Sequence, residues 1–195
     1  MRKVLAVVLL LCGLSVGQEV RNYPSKALGK GASEWGVYLQ GGTGLFDRTS
    51  HKFFWMGGRY GKVLTGEHLG GWAKGTLQYT VEVYPLVVVT QPTGNAYGGG
   101  FTPFMLTWNF TGAKKVAPFF EIGAGTLFTN RDVPINTNSV NFTPQGALGM
   151  HFFTREDRAV TGAIRYTHIS NAGLSNRNAG INTTLQFRLQ YTWFK

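Results

Sequence analysis

The chain has 195 residues, of which 27 are glycines and 14% are aromatic, and its formal net charge is +10. The length suits one domain, and a mean hydropathy of −0.07 argues against a bundle of transmembrane helices. Glycines and aromatic residues together favour a β protein with tight turns. The basic balance favours an anionic partner, such as a nucleic acid, a phospholipid or another lipid phosphate.

The N-terminus is typical of a secretory signal peptide. Two basic residues open the chain, an apolar run covers residues 4–11, and Ser15-Val16-Gly17 offers a small-residue cleavage site. The apolar run is too short to span a bilayer, and the alternative is a buried N-terminal helix. The pattern predicts a signal peptide at residues 1–17, which is cleaved after Gly17, and one mature domain at 18–195. The mature domain lacks Cys12, the only cysteine, and so has no disulfide. Export also argues against a nucleic-acid partner.

Apolar and polar side chains alternate along most of the mature chain. From Ile181 to Trp193 the odd positions form an apolar face that ends in aromatic residues, and the even positions form a polar face. Strands of about ten residues with this pattern are typical of outer-membrane barrels. The pattern predicts eight strands, at roughly 34–44, 51–62, 75–87, 98–110, 116–129, 141–153, 159–170 and 181–194. We therefore expect an all-β fold, an eight-stranded antiparallel transmembrane β-barrel.

The connections orient this barrel in the membrane. Those at 111–115 and 154–158 are short, whereas those at 129–140 and 171–180 are long. Outer-membrane barrels keep short turns in the periplasm and long loops outside the cell. The connection at 63–74 is an exception, because it is long for a periplasmic turn.

Charged and amide side chains on the polar faces should fill the barrel. An eight-stranded barrel is filled by side chains, so an open pore is not expected. Unpaired buried charges are costly, which predicts a hydrogen-bonded ionic network inside. Its expected members are Glu82, Glu121, Arg165 and Arg188, together with Gln145 and Gln186.

A His-x-Ser pair lies at the extracellular end of the seventh strand. His168 and Ser170 share the parity of Val160 and Ile164, which predicts that they face lipid. Residues i and i+2 of a strand are about 6.6 Å apart and point the same way, so a twist or bulge brings imidazole to hydroxyl. Such a His can act as general base for a nucleophilic Ser. The spacing alone leaves a catalytic pair and a simple polar loop as alternatives.

The stretch His168-Ile169-Ser170-Asn171-Ala172, followed by Gly173, resembles the outer-membrane lipid A 3-O-deacylases, part of a wider acyloxyacyl-hydrolase-like group of barrels. The segments "APFFEIGAGTLFT" and "YTVEVYPLVV" are similar to other strands of that group. The resemblance implies an outer-membrane, membrane-embedded esterase that removes an ester-linked acyl chain from the lipid A of lipopolysaccharide. It implies Ser170 as nucleophile and His168 as general base.

One position departs from that family. Its members carry a Glu fourteen residues after the His, where this chain has Asn182. An Asn carbonyl can orient an imidazole N–H but cannot stabilise imidazolium by charge, and an Asp-to-Asn change in a serine protease lowers kcat about 10⁴-fold. Three alternatives follow: Asn182 orients His168 well enough for catalysis, the enzyme is slow, or it is inactive. Its inward parity requires a bulge if it is to reach His168.

Further candidates are weaker. Asn171 and the N–H groups of Ala172 and Gly173 are candidate oxyanion donors, or they simply form a turn. Arg177 is a candidate for holding a lipid A phosphate. No cofactor is expected, and no metal-ligand spacing is present among His51, His68 and His151. A non-catalytic structural or lipid-binding barrel is the alternative function, and the oligomeric state stays open.

Overall fold

Eight antiparallel strands pair in chain order and close into a barrel, in which the last strand pairs with the first. The computed structural model describes residues 22–175, 177 and 181–195, without the side chains of Asn182 and Thr183. The strands are β1 Ser33–Gly44, β2 Lys52–Val63, β3 Gly75–Gln91, β4 Gly94–Phe110, β5 Val116–Thr129, β6 Val140–Arg155, β7 Arg158–Ile169 and β8 Ile181–Phe194. The predicted fold class is confirmed, whereas the predicted signal peptide lies outside the described residues.

Strands β3 and β4 are longer than the alternation predicted. Register shifts occur between Tyr84 and Val87 in β3, and between Phe101 and Phe104 in β4. Each shift changes which residues face inward, so the period-two pattern is interrupted although the strand continues. The predicted strands therefore stopped or started several residues short of the tight turn that joins Gln91 to Gly94.

The outer wall of the barrel is apolar. Its half-exposed side chains include Val37, Leu39, Val83, Phe104, Ile122, Leu148, Ile164, Phe187 and Leu189. An apolar belt around a closed barrel whose interior is polar is the signature of an outer-membrane barrel, because lipid covers the belt. No helix in the described part of the chain is long and apolar enough to cross a membrane.

The interior has an apolar layer at each end. The extracellular layer consists of Phe53, Trp55, Tyr84, Val87, Val89, Ala96, Leu127, Val133, Ile169 and Ile181. Ile181 corrects a prediction: its odd position placed it on the lipid face, but its side chain is fully buried inside. The periplasmic layer consists of Ala27, Leu28, Val63, Ala117, Phe153, Ala159 and Phe194.

An ionic cluster of three arginines and three glutamates fills the middle of the barrel: Glu34, Arg59, Glu82, Glu121, Arg165 and Arg188. The predicted network is thus present, and it includes Arg59 and Glu34, which the sequence analysis did not assign. Its formal charges cancel, and all six side chains are buried. Of the two predicted amides, Gln145 accepts a hydrogen bond from Arg165 Nη1 at 3.3 Å. The described contacts of Gln186 are instead with Gln40 and Thr184, although Gln186 pairs with Arg165 in the β7–β8 register.

A short helix, α1 Tyr23–Ala27, closes the periplasmic end. Asn22 Oδ1 caps it by accepting a hydrogen bond from the Ser25 N–H at 3.1 Å. Glu67, in the long connection after β2, holds the helix in place: it accepts hydrogen bonds at 2.7 Å from Ser25 Oγ and from Thr111 Oγ1. The Lys74 ammonium lies 2.6 Å from the same carboxylate. The short connections between β4 and β5 and between β6 and β7 lie at this end, together with Asn22 and Lys195, which assigns it to the periplasm although the tight turn between β3 and β4 lies at the opposite end.

Candidate functional site

The His-x-Ser pair lies on the outer wall at the extracellular end of β7. Ile169 is completely buried and Asn171 nearly so, whereas His168 and Ser170 are half-buried. Alternation along the strand therefore turns His168 and Ser170 toward lipid, as predicted. Ser170 also pairs with Phe142 on β6: its N–H donates to the Phe142 carbonyl at 3.2 Å, and its carbonyl accepts from the Phe142 N–H at 2.7 Å.

The interior anchors this part of the wall. Ile169, between the two polar residues, packs in the extracellular apolar layer together with Ile181 of β8, with which it pairs. Burying both isoleucines fixes the backbone from inside, since each is worth roughly 1.5–3 kcal/mol on transfer from water. The half-buried His168 is thus presented from β7, and Ser170 from the bridge to Phe142 that directly follows this strand, rather than from an unpaired loop.

A bulge interrupts the pairing of β7 and β8 beside His168. Thr167 pairs with Thr184 and Ile169 pairs with Ile181, so residues 182 and 183 together lie opposite His168. Two residues facing one is the arrangement of a β-bulge. The backbone therefore has the bulge that Asn182 was predicted to need, although the Asn182 side chain lies outside the described residues. The same extra residue explains the inward position of Ile181.

The residues after Ser170 form a compact turn. The Gly173 N–H donates to Asn171 Oδ1 at 2.9 Å, and the Leu174 N–H donates to the Asn171 carbonyl at 3.0 Å. Ala172 and Gly173 both have positive φ, of 50° and 84°. Asn171 Nδ2 donates to Ser175 Oγ and to the Arg177 carbonyl, at 2.8 and 2.9 Å. Two of the three predicted oxyanion donors are thus engaged within the loop.

This loop also contacts its neighbour at the extracellular end. Ser175 Oγ donates to the carbonyl of Thr137, in the connection between β5 and β6, at 2.9 Å. Arg177 is exposed, and its backbone carbonyl is held by Asn171. The backbone of Arg177, the candidate for binding a phosphate, is therefore fixed by Asn171, the residue that follows Ser170. The Arg177 side chain is exposed.

An apolar groove of about 460 Å³ runs along the outer wall next to the pair. It is lined by Phe120, Gly146, Ala147, Leu148, Ile164, Tyr166 and Leu185. Gly146 has no side chain and pairs with Tyr166, which lies two residues before His168 on the same face of β7. The groove was missed by the sequence analysis, because it arises from a glycine on β6 next to large side chains on β5, β7 and β8. Among the described residues no group of three or more His, Cys, Asp or Glu could hold a metal ion.

The barrel is closed, it has an apolar belt outside and an ionic cluster inside, and its lipid-facing wall carries a polar pair. These features identify the class as integral proteins of the outer membrane. Comparison with protein families places it more closely: the model of the lipid A 3-O-deacylases (PagL) matches residues 57–192. The chain belongs to this family and is therefore a lipid A deacylase, an ester hydrolase. The family that the His168–Gly173 stretch resembles is thus confirmed, and the esterase is favoured over the non-catalytic alternative.

Solved structures agree on the fold. The crystal structure of the outer membrane enzyme PagL superposes with a TM-score of 0.57 at 18% identity, covering 81% of this chain and 98% of that chain. The N-terminal β-barrel domain of Pseudomonas aeruginosa OprF superposes with a TM-score of 0.51 at 12% identity, covering 86% and 99%. No curated protein matches the sequence significantly.

Proposed function

We propose that this lipid A deacylase uses Ser170 as nucleophile and His168 as general base. The observation that carries the proposal is that both lie on the lipid-facing wall at its extracellular end, next to an apolar groove. Lipid A has its ester carbonyls at the depth where headgroups meet acyl chains. The substrate therefore reaches Ser170 by lateral diffusion in the outer leaflet, and the filled barrel interior takes no part in its access.

The reaction proceeds in two acyl transfers. His168 takes the proton of the Ser170 hydroxyl as Oγ attacks the ester carbonyl carbon, which forms a tetrahedral oxyanion. The carbon–oxygen bond to the sugar breaks, the imidazolium protonates the departing alkoxide, and Ser170 keeps the acyl group. His168 then takes a proton from water, the hydroxide attacks the acyl carbonyl, and Ser170 leaves with the proton restored. The products are a free fatty acid and lipid A with one acyl chain fewer.

Asn182 is proposed as the residue that orients His168. Support comes from the bulge, which sets residues 182 and 183 opposite His168 although Asn182 has inward parity by sequence. An amide oxygen can accept the imidazole N–H and so select the tautomer that a general base requires. It supplies no charge to the imidazolium, so we expect a slow enzyme compared with a carboxylate-containing site.

The Ala172 N–H is proposed as the oxyanion donor. The Asn171 amide and the Gly173 N–H already donate within the loop, whereas no hydrogen bond from the Ala172 N–H is present among the described residues. A backbone donor in a fixed turn needs no reorganisation as charge develops. The exposed Arg177 guanidinium would bind a lipid A phosphate by charge-assisted hydrogen bonds.

The apolar groove is proposed to hold the scissile acyl chain. Tyr166, at its upper end, is four residues from Ser170 on the same face, or about 13 Å along the strand. This separation is comparable to the length of a medium fatty acyl chain. The far end of an acyl chain that runs from an ester at Ser170 toward the membrane centre would therefore reach the groove at Gly146.

The test is lipid A analysis by mass spectrometry after incubation with purified, folded barrel. Ser170→Ala and His168→Ala should each lower the rate of acyl loss by about 10⁴-fold or more, as for members of a serine triad. The matched control is Ser50→Ala, because Ser50 Oγ lies 3.4 Å from His51 Nδ1 in another extracellular connection. The control should leave the rate unchanged. Full activity of Ser170→Ala, or unaltered lipid A with the wild type, would overturn the proposal.

Asn182 has its own test. Asn182→Ala should lower kcat with little change in KM, because the orienting residue does not bind substrate. An Asn182→Ala enzyme as fast as the wild type would remove Asn182 from the mechanism. It would leave the roles of Ser170 and His168 intact.

A further inference from the structure

The long periplasmic connection after β2, residues 64–74, has no part in the deacylase reaction. It packs against the end of β4, where the Thr111 N–H donates to the Lys74 carbonyl at 2.9 Å. Yet two of its large apolar side chains stay outside: Leu69 is 72% exposed and Trp72 is 87% exposed. Exposed tryptophan at the end of a membrane barrel is typical of the interface between hydrocarbon and headgroups.

A groove of about 550 Å³ lies beside Trp72. It is lined by Gly71, Trp72, Phe110, Gly112, Ala113 and Pro118. Phe110 and Pro118 have the parity of the outward residues of β4 and β5, such as Leu106 and Phe120. The groove therefore opens to the membrane at the depth of the periplasmic leaflet, at the opposite end of the barrel from Ser170.

Two lysines follow the groove directly. Lys114 and Lys115 are exposed, and within the described part of the chain neither ammonium has an ion pair. The nearby Lys74, in contrast, is paired with Glu67. An apolar groove that is followed along the chain by two exposed ammonium groups matches a molecule with hydrocarbon at one end and an anionic phosphate at the other.

We propose that this groove binds an anionic phospholipid of the periplasmic leaflet, with an acyl chain against Trp72 and Phe110 and the headgroup on Lys114 and Lys115. Lipid A is not the proposed ligand, because it lies in the outer leaflet at the Ser170 end of the barrel, whereas this groove faces the periplasmic leaflet. A second copy of the chain fits less well, because a stable interface buries about 800 Å² per partner and the groove has only six lining residues.

The experiment uses the folded, full-length barrel in vesicles that contain brominated phosphatidylglycerol or brominated phosphatidylcholine. Bromine quenches tryptophan fluorescence on contact, and the difference between the wild type and Trp72→Phe isolates the signal of Trp72. We expect stronger quenching by the anionic lipid, and a smaller difference at high salt. Lys114→Gln/Lys115→Gln should lower the preference by roughly fivefold for each lysine removed.

The matched control is Lys30→Gln/Lys195→Gln, which removes the same charge next to β1 and β8, across the barrel from β4 and β5. It should keep the preference. The heat-dependent shift of folded barrels on gels verifies that both exposed double variants are folded, and unchanged lipid A hydrolysis provides a second check. Equal quenching by the two lipids would overturn the proposal, as would a preference that survives in Lys114→Gln/Lys115→Gln or is lost equally in the control. Quenching that falls as protein concentration rises would assign the groove to a second copy.

Discussion

Replacing Glu121 by Gln tests whether the ionic cluster stabilises the barrel. Glu121 accepts hydrogen bonds from Arg59 Nη1 at 2.6 Å and from the Nη2 atoms of Arg165 and Arg188, both at 2.8 Å. Gln keeps the shape, so no cavity forms, but its amide group presents N–H donors to guanidinium donors. The cluster would change from neutral to a net charge of +1 in a fully buried layer.

Removing one partner of a buried ion pair costs about 3–5 kcal/mol, because the remaining charge stays buried without compensation. We expect the free energy of unfolding of Glu121→Gln to fall by that amount. Urea unfolding of the barrel in lipid vesicles, followed by tryptophan fluorescence, measures it. Adding Arg188→Met restores neutrality, so the double variant should lose less stability than the sum of the two single variants.

Asp157→Asn is the matched control for the loss of one carboxylate. Asp157 lies 3.6 Å from Arg158 at the periplasmic turn, where the Asp157 side chain is 58% exposed and that of Arg158 is 41% exposed. Solvent screens an exposed pair, so Asp157→Asn should change the stability far less than Glu121→Gln does. If Glu121→Gln and Asp157→Asn shift the unfolding midpoint equally, the interior cluster contributes no more than a surface pair, and the reasoning is refuted.

Further predictions concern the helix clamp, the groove and export. Burial opposes ionisation of Glu67, but hydrogen bonds from Lys74, Ser25 and Thr111 outweigh it and lower the pKa of Glu67 from 4.5 to about 2. A carboxyl group whose pKa is lower in the folded than in the unfolded chain contributes its full stabilisation at pH values above the unfolded pKa. The free energy of unfolding should therefore fall as the pH drops from 4.5 towards 2. Glu67→Gln should remove that part of the pH dependence in urea unfolding, and an unchanged profile would contradict it. A Cβ at Gly146 meets atoms only at 3.5 Å or beyond, so Gly146→Leu should fold, fill the groove and slow hydrolysis of long-chain but not short-chain esters. Equal loss for both chain lengths would contradict this. N-terminal sequencing of protein from outer membranes should start near Gln18, whereas an intact Met1 would contradict the signal peptide.

Several features of this protein could be predicted from its sequence alone. A strand with one apolar and one polar face needs lipid or core on one side and polar groups on the other, so local alternation was enough to predict eight strands and a membrane barrel. The outward position of His168 and Ser170 followed from the same alternation, because the extra residue of the bulge lies in β8 and the alternation along β7 continues from Val160 to Ser170.

Other features were decided only by the tertiary structure. The aromatic Phe53 and Trp55 face the interior, because the extracellular end of the barrel is apolar inside as well as outside, and sequence alternation cannot show depth. Arg59 joins the ionic cluster because strand register sets it level with glutamates of β3 and β5, 23 and 62 residues away along the chain. The bulge at residues 182 and 183 reverses the parity of Ile181 and sets Asn182 opposite His168. A bulge depends on how two strands pair, and pairing over such distances leaves no signal in the residues of one strand.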